Sequence, residues 1–330
     1  MSRVVPSVAC LALLLVSACL SFAADNPAQS AIKSSLIVVV GAPGNDTYAP
    51  LFAEQLQTWR KLAESAALDF TAIGASEGDK ADKEHLQSVL AEQTKRETSS
   101  PLWLVLIGHG TFDGRTASFN LRGPDVTSTE LAEWLDSAAR PLVLIDTSAA
   151  SGPFLTALSR PERVVVTATK SGQERNFARF GKFLAARIAD PQADLDKDEQ
   201  TSLFEAFLAA ARDTTTFYTE AGRVVTEHPL LDDNGDGRGV RGDFFERGRL
   251  KQPLGGNQAA DGDRARSIFL KPSDRERSLT PEQLARREEL EAVLASLRGE
   301  KADLKSDEYF ARLEPLLVEL ARMSLAEGVK

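Results

Sequence analysis

The sequence predicts an α/β protein with a mostly parallel sheet, flanking helices and a C-terminal α-helical hairpin. Uninterrupted apolar runs recur at Ser35-Leu-Ile-Val-Val-Val40, Leu102-Trp-Leu-Val-Leu-Ile107, Leu142-Val-Leu-Ile145 and Arg163-Val-Val-Val-Thr167, the mark of strands buried on both faces. Stretches of helical spacing separate them, as the crossovers of parallel strands require. The two central runs also end abruptly in small and polar residues, Gly108-His109-Gly110 and Asp146-Thr-Ser-Ala-Ala-Ser151-Gly152. Strand ends of that kind deliver functional groups at the C-terminal edge of a sheet.

A chain of 330 residues with 42% hydrophobic content can build one large core and an appendage. Its formal net charge of −9 argues against nucleic acid as a partner, because phosphate binding requires a basic face. The acidic clusters point to cations instead. Residues 1–24 form an export signal, with Arg3 before an apolar core at Val8 to Val16 and a small-x-small cleavage site at Ser21-Phe-Ala23. That core is too short to span a bilayer, so no transmembrane helix is expected in the mature chain. Val16-Ser-Ala-Cys19 also suits a lipoprotein cleavage box in which Cys19 carries a lipid anchor, so periplasmic, secreted and lipid-anchored destinations stay open. Both cysteines, Cys10 and Cys19, lie in this leader, leaving the mature chain with no thiol and no disulfide.

The first strand ends in the tight turn Gly41-Ala-Pro-Gly44, which matches no phosphate-binding pattern. Apolar spacing predicts a helix over 50–66, a strand from Leu68 to Ile73 and a charged helix over 80–95 with His85 on its surface. After the strand 102–107, Thr111 to Leu121 reads as a hairpin turning at Asp113-Gly114. A helix over 128–137 follows, N-capped by Thr127 or Ser128 with Glu130 in its first turn. The strand 141–145 precedes a helix over 153–159. Phe177, Phe180, Phe183 and Leu184 mark one further helix, and Leu203 to Tyr218 another. The main domain is thus expected over 33–249, with an acidic helical extension from about 190. Residues 250–277, rich in Gly, Asp, Arg, Pro and Ser, read as a linker or long surface loop. Thr280-Pro-Glu-Gln opens a hairpin over 278–330, with helices carrying Leu284, Leu290, Leu294 and Leu297, then Tyr309, Leu313, Leu316, Leu317 and Leu320.

Peptide hydrolysis by a nucleophile needs a base beside it and backbone donors for the oxyanion. His109 with Gly110 on one strand end and Asp146 to Gly152 on the next could assemble them. These motifs, His-Gly and then Ser-Gly one strand–helix unit later, resemble the His-Gly and Cys-x-Ser-Gly motifs of the caspase-like peptidases, the legumain-type branch in particular. The resemblance covers about residues 36–190 and implies a caspase-like fold. It also implies that His109 holds the catalytic histidine position and Gly110 the oxyanion glycine. Ala149 then stands where the nucleophilic cysteine belongs, and a one-residue slip puts Ser148 there. The thiol is missing in either alignment, so cysteine-type turnover is not expected. Three functional readings follow: a degenerate peptidase-fold protein that binds a peptide or protein, a hydrolase using Ser148 with His109, and a calcium-stabilised envelope scaffold. Asp146 is the nearest carboxylate by position to orient His109. Ser148 and Ser151 also suit turn formation and N-capping of the helix over 153–159.

Two acidic loops carry calcium-like spacing. Asp194, Asp196, Asp198, Ser202 and Glu205 fall at positions 1, 3, 5, 9 and 12 of an EF-hand-like loop, with the Gln200 carbonyl at position 7. Glu199 stands where such a loop wants glycine. The second loop has Asp232, Asn234, Asp236 and Gly237, and Asp243 twelve residues along, but no convincing exiting helix. Calcium is the ion this spacing favours, and no organic cofactor is implied. Solvated acidic turns are the competing reading of both loops, and His228 is a further candidate partner for either.

Overall fold

The computed structural model describes residues 34–76, 81–174, 177–246, 249–250, 260–273, 277–302 and 304–325. Residues 1–24, the expected export signal, and Cys19 within it lie outside the described residues. Five strands form the parallel part of one sheet: β1 (Ser35–Val40), β2 (Asp69–Ile73), β3 (Leu102–Ile107), β7 (Leu142–Asp146) and β8 (Arg163–Thr167), in the order β2-β1-β3-β7-β8. Two short strands, β9 (Leu230–Asp232) and β10 (Val240–Arg241), extend the β8 edge in antiparallel fashion. A separate three-stranded sheet, β4 (Gly110–Phe112), β5 (Ala117–Phe119) and β6 (Val126–Thr127), leaves the C-terminal end of β3. Its first hairpin turns at the expected Asp113, whose carboxylate accepts the Arg115 and Thr116 amides.

Alternation along the parallel strands assigns each side chain to one of two apolar layers. Leu36, Val38, Trp103, Val105, Val143, Ile145, Val164 and Val166 face α1 (Ala49–Ser65), α5 (Phe180–Ile188) and α6 (Leu203–Glu220) through Phe52, Trp59, Phe180, Leu184, Phe204 and Phe207. Ile37, Val39, Leu104, Leu106, Leu144 and Val165 face α2 (Asp82–Gln93), α3 (Ser128–Leu135) and α4 (Gly152–Leu158) through Leu86, Leu90, Leu131, Phe154 and Leu155. Capping boxes start two of the flanking helices: Thr127 with Glu130 opens α3, and Ser202 with Glu205 opens α6.

At the N-terminal edge of the sheet, the buried Arg140 guanidinium donates to the Ser100 and Pro101 carbonyls, to Gln93 Oε1 and to Ser35 Oγ. These bonds fasten the entries of β1 and β3 together and offset the desolvation of the charge.

The region 250–277 is not wholly a linker. Within it, α7 (Asp263–Arg266) buries Ala265, and Leu270 joins the apolar layer beside Phe204. Phe269 bridges Ser202, and the Leu203 amide donates to the Ile268 carbonyl. A few well-placed apolar residues thus tie this stretch to α6, where composition alone suggested a loop.

The C-terminal helices α8 (Pro281–Gly299) and α9 (Ser306–Leu325) pack on each other as the expected hairpin, with Arg286 of α8 paired to Glu319 of α9. Thr280 and Gln283 form its capping box. No described helix is long and apolar enough to cross a membrane.

Because Leu270 is buried against the main core, Leu270→Ala is expected to cost about 2–5 kcal/mol, measured by urea unfolding. A true linker residue would leave the midpoint unmoved.

Candidate functional site

Pairing of β3 with β7 in register, Leu106 opposite Asp146, brings His109 and the turn 147–152 out of adjacent strands at one edge of the sheet. The Thr147 amide and hydroxyl both donate to the Leu106 carbonyl, at 3.0 and 2.7 Å, and lock the two exits together.

His109 is half-buried, and its Nε2 lies 3.2 Å from the Pro43 carbonyl. A carbonyl only accepts, so this bond puts a proton on Nε2, and in the neutral ring Nδ1 is then the acceptor. Three aromatic rings surround the imidazole: Tyr48 at 4.6 Å between centroids, Phe52 at 5.3 Å and Phe177 at 6.1 Å. Tyr48 and Phe52 meet the ring at steep angles, the favourable edge arrangement. The orienting partner of His109 is therefore the backbone of the turn after β1. Asp146, the expected orienting group, instead accepts the Ser148 amide at 2.8 Å.

Phe177 does not belong to a helix, contrary to its reading as a helix marker, because α5 begins at Phe180. Glu227 sets that start. Its buried carboxylate accepts the Arg179 and Phe180 amides and the Tyr218 hydroxyl, satisfying donors that a helix N-terminus leaves open. Burial nevertheless pushes the Glu227 carboxyl up to about 7, against the pull of those amides. The loop carrying Phe177 against His109 thus hangs from a residue that the sequence does not advertise.

On the β7 side, Ser148 is fully buried. Its Oγ sits under Gly110, 2.7 Å from where a Cβ would stand, with Ala150 at 3.0 Å from the same point. The Ser148 hydroxyl meets hydrogen-bond geometry with no partner, His109 included. It lies near the Asp146 carboxyl and, after the Ser148 amide, helps hold that group ionised. Burial wins, and the Asp146 carboxyl is pushed up to about 6. Ala149 contributes only a buried methyl. Ser151 departs from its expected capping role. Its hydroxyl exchanges hydrogen bonds with Thr169, at 2.9 Å to Oγ1 and 3.0 Å from the amide, and makes no side-chain cap on α4.

The acidic loops lie away from this edge. In the first, Asp194, Asp196 and Asp198 each offer an oxygen within 4.8 Å of the others, and Glu199 adopts the left-handed conformation (φ 72°) that glycine would take at that position. Its oxygens are largely engaged, however. Asp194 accepts the Lys197 and Glu199 amides, Asp198 accepts the Gln200 amide, and Glu205 divides its carboxylate between the Leu195 and Ser202 amides. The Gln200 side chain faces the Ser273 amide. The second loop, with Asp232, Asn234 and Asp236, is the connection between β9 and β10. His228 joins neither loop and pairs with Glu174. A cavity of about 790 Å³ lies against α6, lined in part by Phe204, Leu208, Thr215, Glu227 and Arg241. Neither His109 nor Ser148 borders it.

With that geometry in view, known proteins offer the following comparison. The structure is similar to caspase-1 from Spodoptera frugiperda, at 9% identity and a TM-score of 0.42 over 62% of this chain and 87% of that one. It is also similar to the Drosophila initiator caspase Dronc, at 12% identity and a TM-score of 0.41 over 68% of this chain and 87% of that one. No protein-family model matches the sequence, and no curated protein matches it.

Two outcomes are expected at this site. Gly110→Ala should cost about 1–3 kcal/mol through overpacking against Ser148 and Ala150, read by thermal unfolding. The second concerns the Asp146 carboxyl, raised from an ordinary 3.8 to about 6. Its contribution to stability is full below about pH 4 and is lost as pH rises through about 6. Asp146→Asn cannot ionise, so its stability relative to the parent should climb by roughly 2–3 kcal/mol between those limits, measured by denaturant unfolding across pH.

Proposed function

We propose that this chain is an exported protein of the caspase/legumain kind that has lost cysteine-type turnover and binds a peptide or protein segment at the His109 edge. One observation carries the reading: the hydroxyl next to Ala149, that of Ser148, is fully buried under Gly110 and makes no hydrogen bond to His109. Attack on a peptide carbonyl needs a nucleophile that reaches both its base and the substrate. Ser148 reaches neither. Ala149, aligned with the family's cysteine, has no nucleophilic atom.

What the site keeps supports recognition. The proton on Nε2 is committed to Pro43, so His109 Nδ1 is an acceptor suited to a peptide N–H. The rings of Tyr48 and Phe177 supply flat apolar surface beside it. Export rests on the leader segment and its cleavage pattern.

A serine-directed fluorophosphonate is expected to leave both the parent and Ser148→Ala unlabelled. Labelling of the parent that Ser148→Ala abolishes would sink the binding reading in favour of a serine hydrolase. Conversely, Ala149→Cys should acquire a thiol that reacts with peptidyl acyloxymethyl ketones, at a rate lowered at least about tenfold by His109→Ala. Equal reactivity in the two backgrounds would show that position 149 is not the nucleophile position.

A further inference from the structure

The turn joining β9 to β10 is built around three side chains in alternation. Asp232 Oδ1 accepts the Gly235 amide at 2.9 Å, Asn234 Oδ1 the Asp236 amide at 2.9 Å, and Asp236 Oδ1 the Arg238 amide at 2.8 Å. Gly235 and Gly237, between them, take left-handed φ of 80° and 72°, which an L side chain resists. Each acidic or amide group is thereby folded back over the same short loop. Such a chain of turns is common in surface loops and by itself calls for no ligand.

The second observation is an orphan. Asp232 is 1% exposed, and its Oδ2 is buried without a hydrogen-bond partner. The nearest hydroxyl, that of Ser159, accepts the Gly237 amide at 2.9 Å. It lies near the Asp232 carboxylate without reaching hydrogen-bond geometry to Oδ2. A buried carboxylate oxygen with no donor is costly. More acid surrounds it. Asp261 accepts the Asp233 amide at 3.0 Å, is itself buried, and lies close enough to Asp232, Asp233 and Asp236 to feel all three charges. Asp233 is spent on the Gly262 and Ala265 amides at the start of α7. Of the nearby arginines, Arg264 pairs with Glu162 and Arg266 lies over the Phe204 ring.

We propose that the β9–β10 turn is a calcium site, with Asp232 Oδ2, Asn234 and Asp236 as its side-chain ligands. The donor set is all oxygen, which suits a hard cation and not zinc or copper. Its three ligands come from a glycine-flexed loop with no enclosing octahedron, a geometry that calcium accepts more readily than magnesium does. A cation there would give Asp232 Oδ2 its missing partner and offset the carboxylates gathered behind it. Asp243, at position twelve counted from Asp232, pairs with Arg241 and takes no part. The site stands independently of the reading of the His109 edge.

The experiment is calcium titration of chelator-treated full chain by calorimetry, paired with thermal unfolding. One calcium per chain is expected, with a dissociation constant at or below about 1 mM and a raised Tm. Asp236→Ala, at a half-exposed position that tolerates truncation, and the isosteric Asp232→Asn should each weaken binding about tenfold or more. Asp198→Ala in the other acidic loop should leave it unchanged. Failure to bind calcium overturns the proposal, as does binding undiminished in Asp236→Ala or lost in Asp198→Ala. Equal affinity for magnesium overturns the assignment to calcium. Should Asp232→Asn fail to fold, Asp236→Ala decides.

Discussion

The parallel register of β3 and β7 is the constraint on which the rest of the structure depends. Leu102 to Leu106 run opposite Leu142 to Asp146, and all of these residues are buried. A slip of one residue would drive every side chain of a strand into the wrong apolar layer. The two-layer core therefore holds the register, and the register decides that both strands end at the same height. From that follow the double bond of Thr147 to Leu106, the approach of Gly110 to Ser148, and the exit of His109 beside the turn 147–152. Tyr48 and Phe52 then reach the imidazole because α1 crosses the same layer and lays its first turns along this edge.

Charge is distributed along the strands with a sense. Arg140 and Arg163 are buried at the N-terminal edge and satisfied by carbonyls, Arg163 by those of Leu158 and Leu135. Buried acids gather elsewhere: Asp146 at the opposite edge of the sheet, Glu227 at the start of α5, and Asp232, Asp233 and Asp261 along the β9 margin. Arginines stay charged under burial and collect carbonyls in several directions. Carboxylates depend on amides, and where these fall short the cost appears as a raised pKa or an orphan oxygen. Asp146 and Asp232 each retain one such oxygen. Their surroundings differ. Asp146 is enclosed by strand ends and a buried serine, whereas Asp232 opens a flexed loop with two further oxygen-bearing side chains, Asn234 and Asp236.

Much of the architecture was legible because it rests on patterns that side chains write directly. The short continuous apolar runs of β1, β3, β7 and β8, bounded by turns and rich in Val and Ile, read as strands, and Thr127 or Ser128 with Glu130 marked the entry to α3, where Thr127 is the cap. Elements of two or three residues lack that redundancy. β9 and β10 pass for loop because the Asp-Asn-Gly-Asp-Gly connection outweighs Leu230, Leu231 and Val240 in composition. The stretch around α7 was misread for a related reason: Ala265 and Leu270 are too few to register as a periodic face, although each fills a place against α6. At the site, the histidine and the turn were visible, but what holds them was not. The Pro43 carbonyl is a backbone atom, and Glu227 acts through the amides of Arg179 and Phe180, so neither leaves a signal in side-chain spacing.

On the proposed reading, the lack of a thiol at the turn 147–152 and the burial of Ser148 belong together. Ser148 could act as a nucleophile there only by turning its hydroxyl outward, toward the imidazole. Gly110 prevents this from the other strand. Its missing Cβ lets the backbone close over Ser148 Oγ, and the Ser148 amide is fixed by Asp146. Bringing the hydroxyl out by moving the backbone of the turn would break the hydrogen bond from the Ser148 amide to Asp146 and reopen the close approach of Gly110. The close packing that positions His109 and Gly110 thus also confines the neighbouring hydroxyl. On the proposed reading, this edge offers His109 as a contact for a bound segment, while the buried Ser148 hydroxyl takes no part.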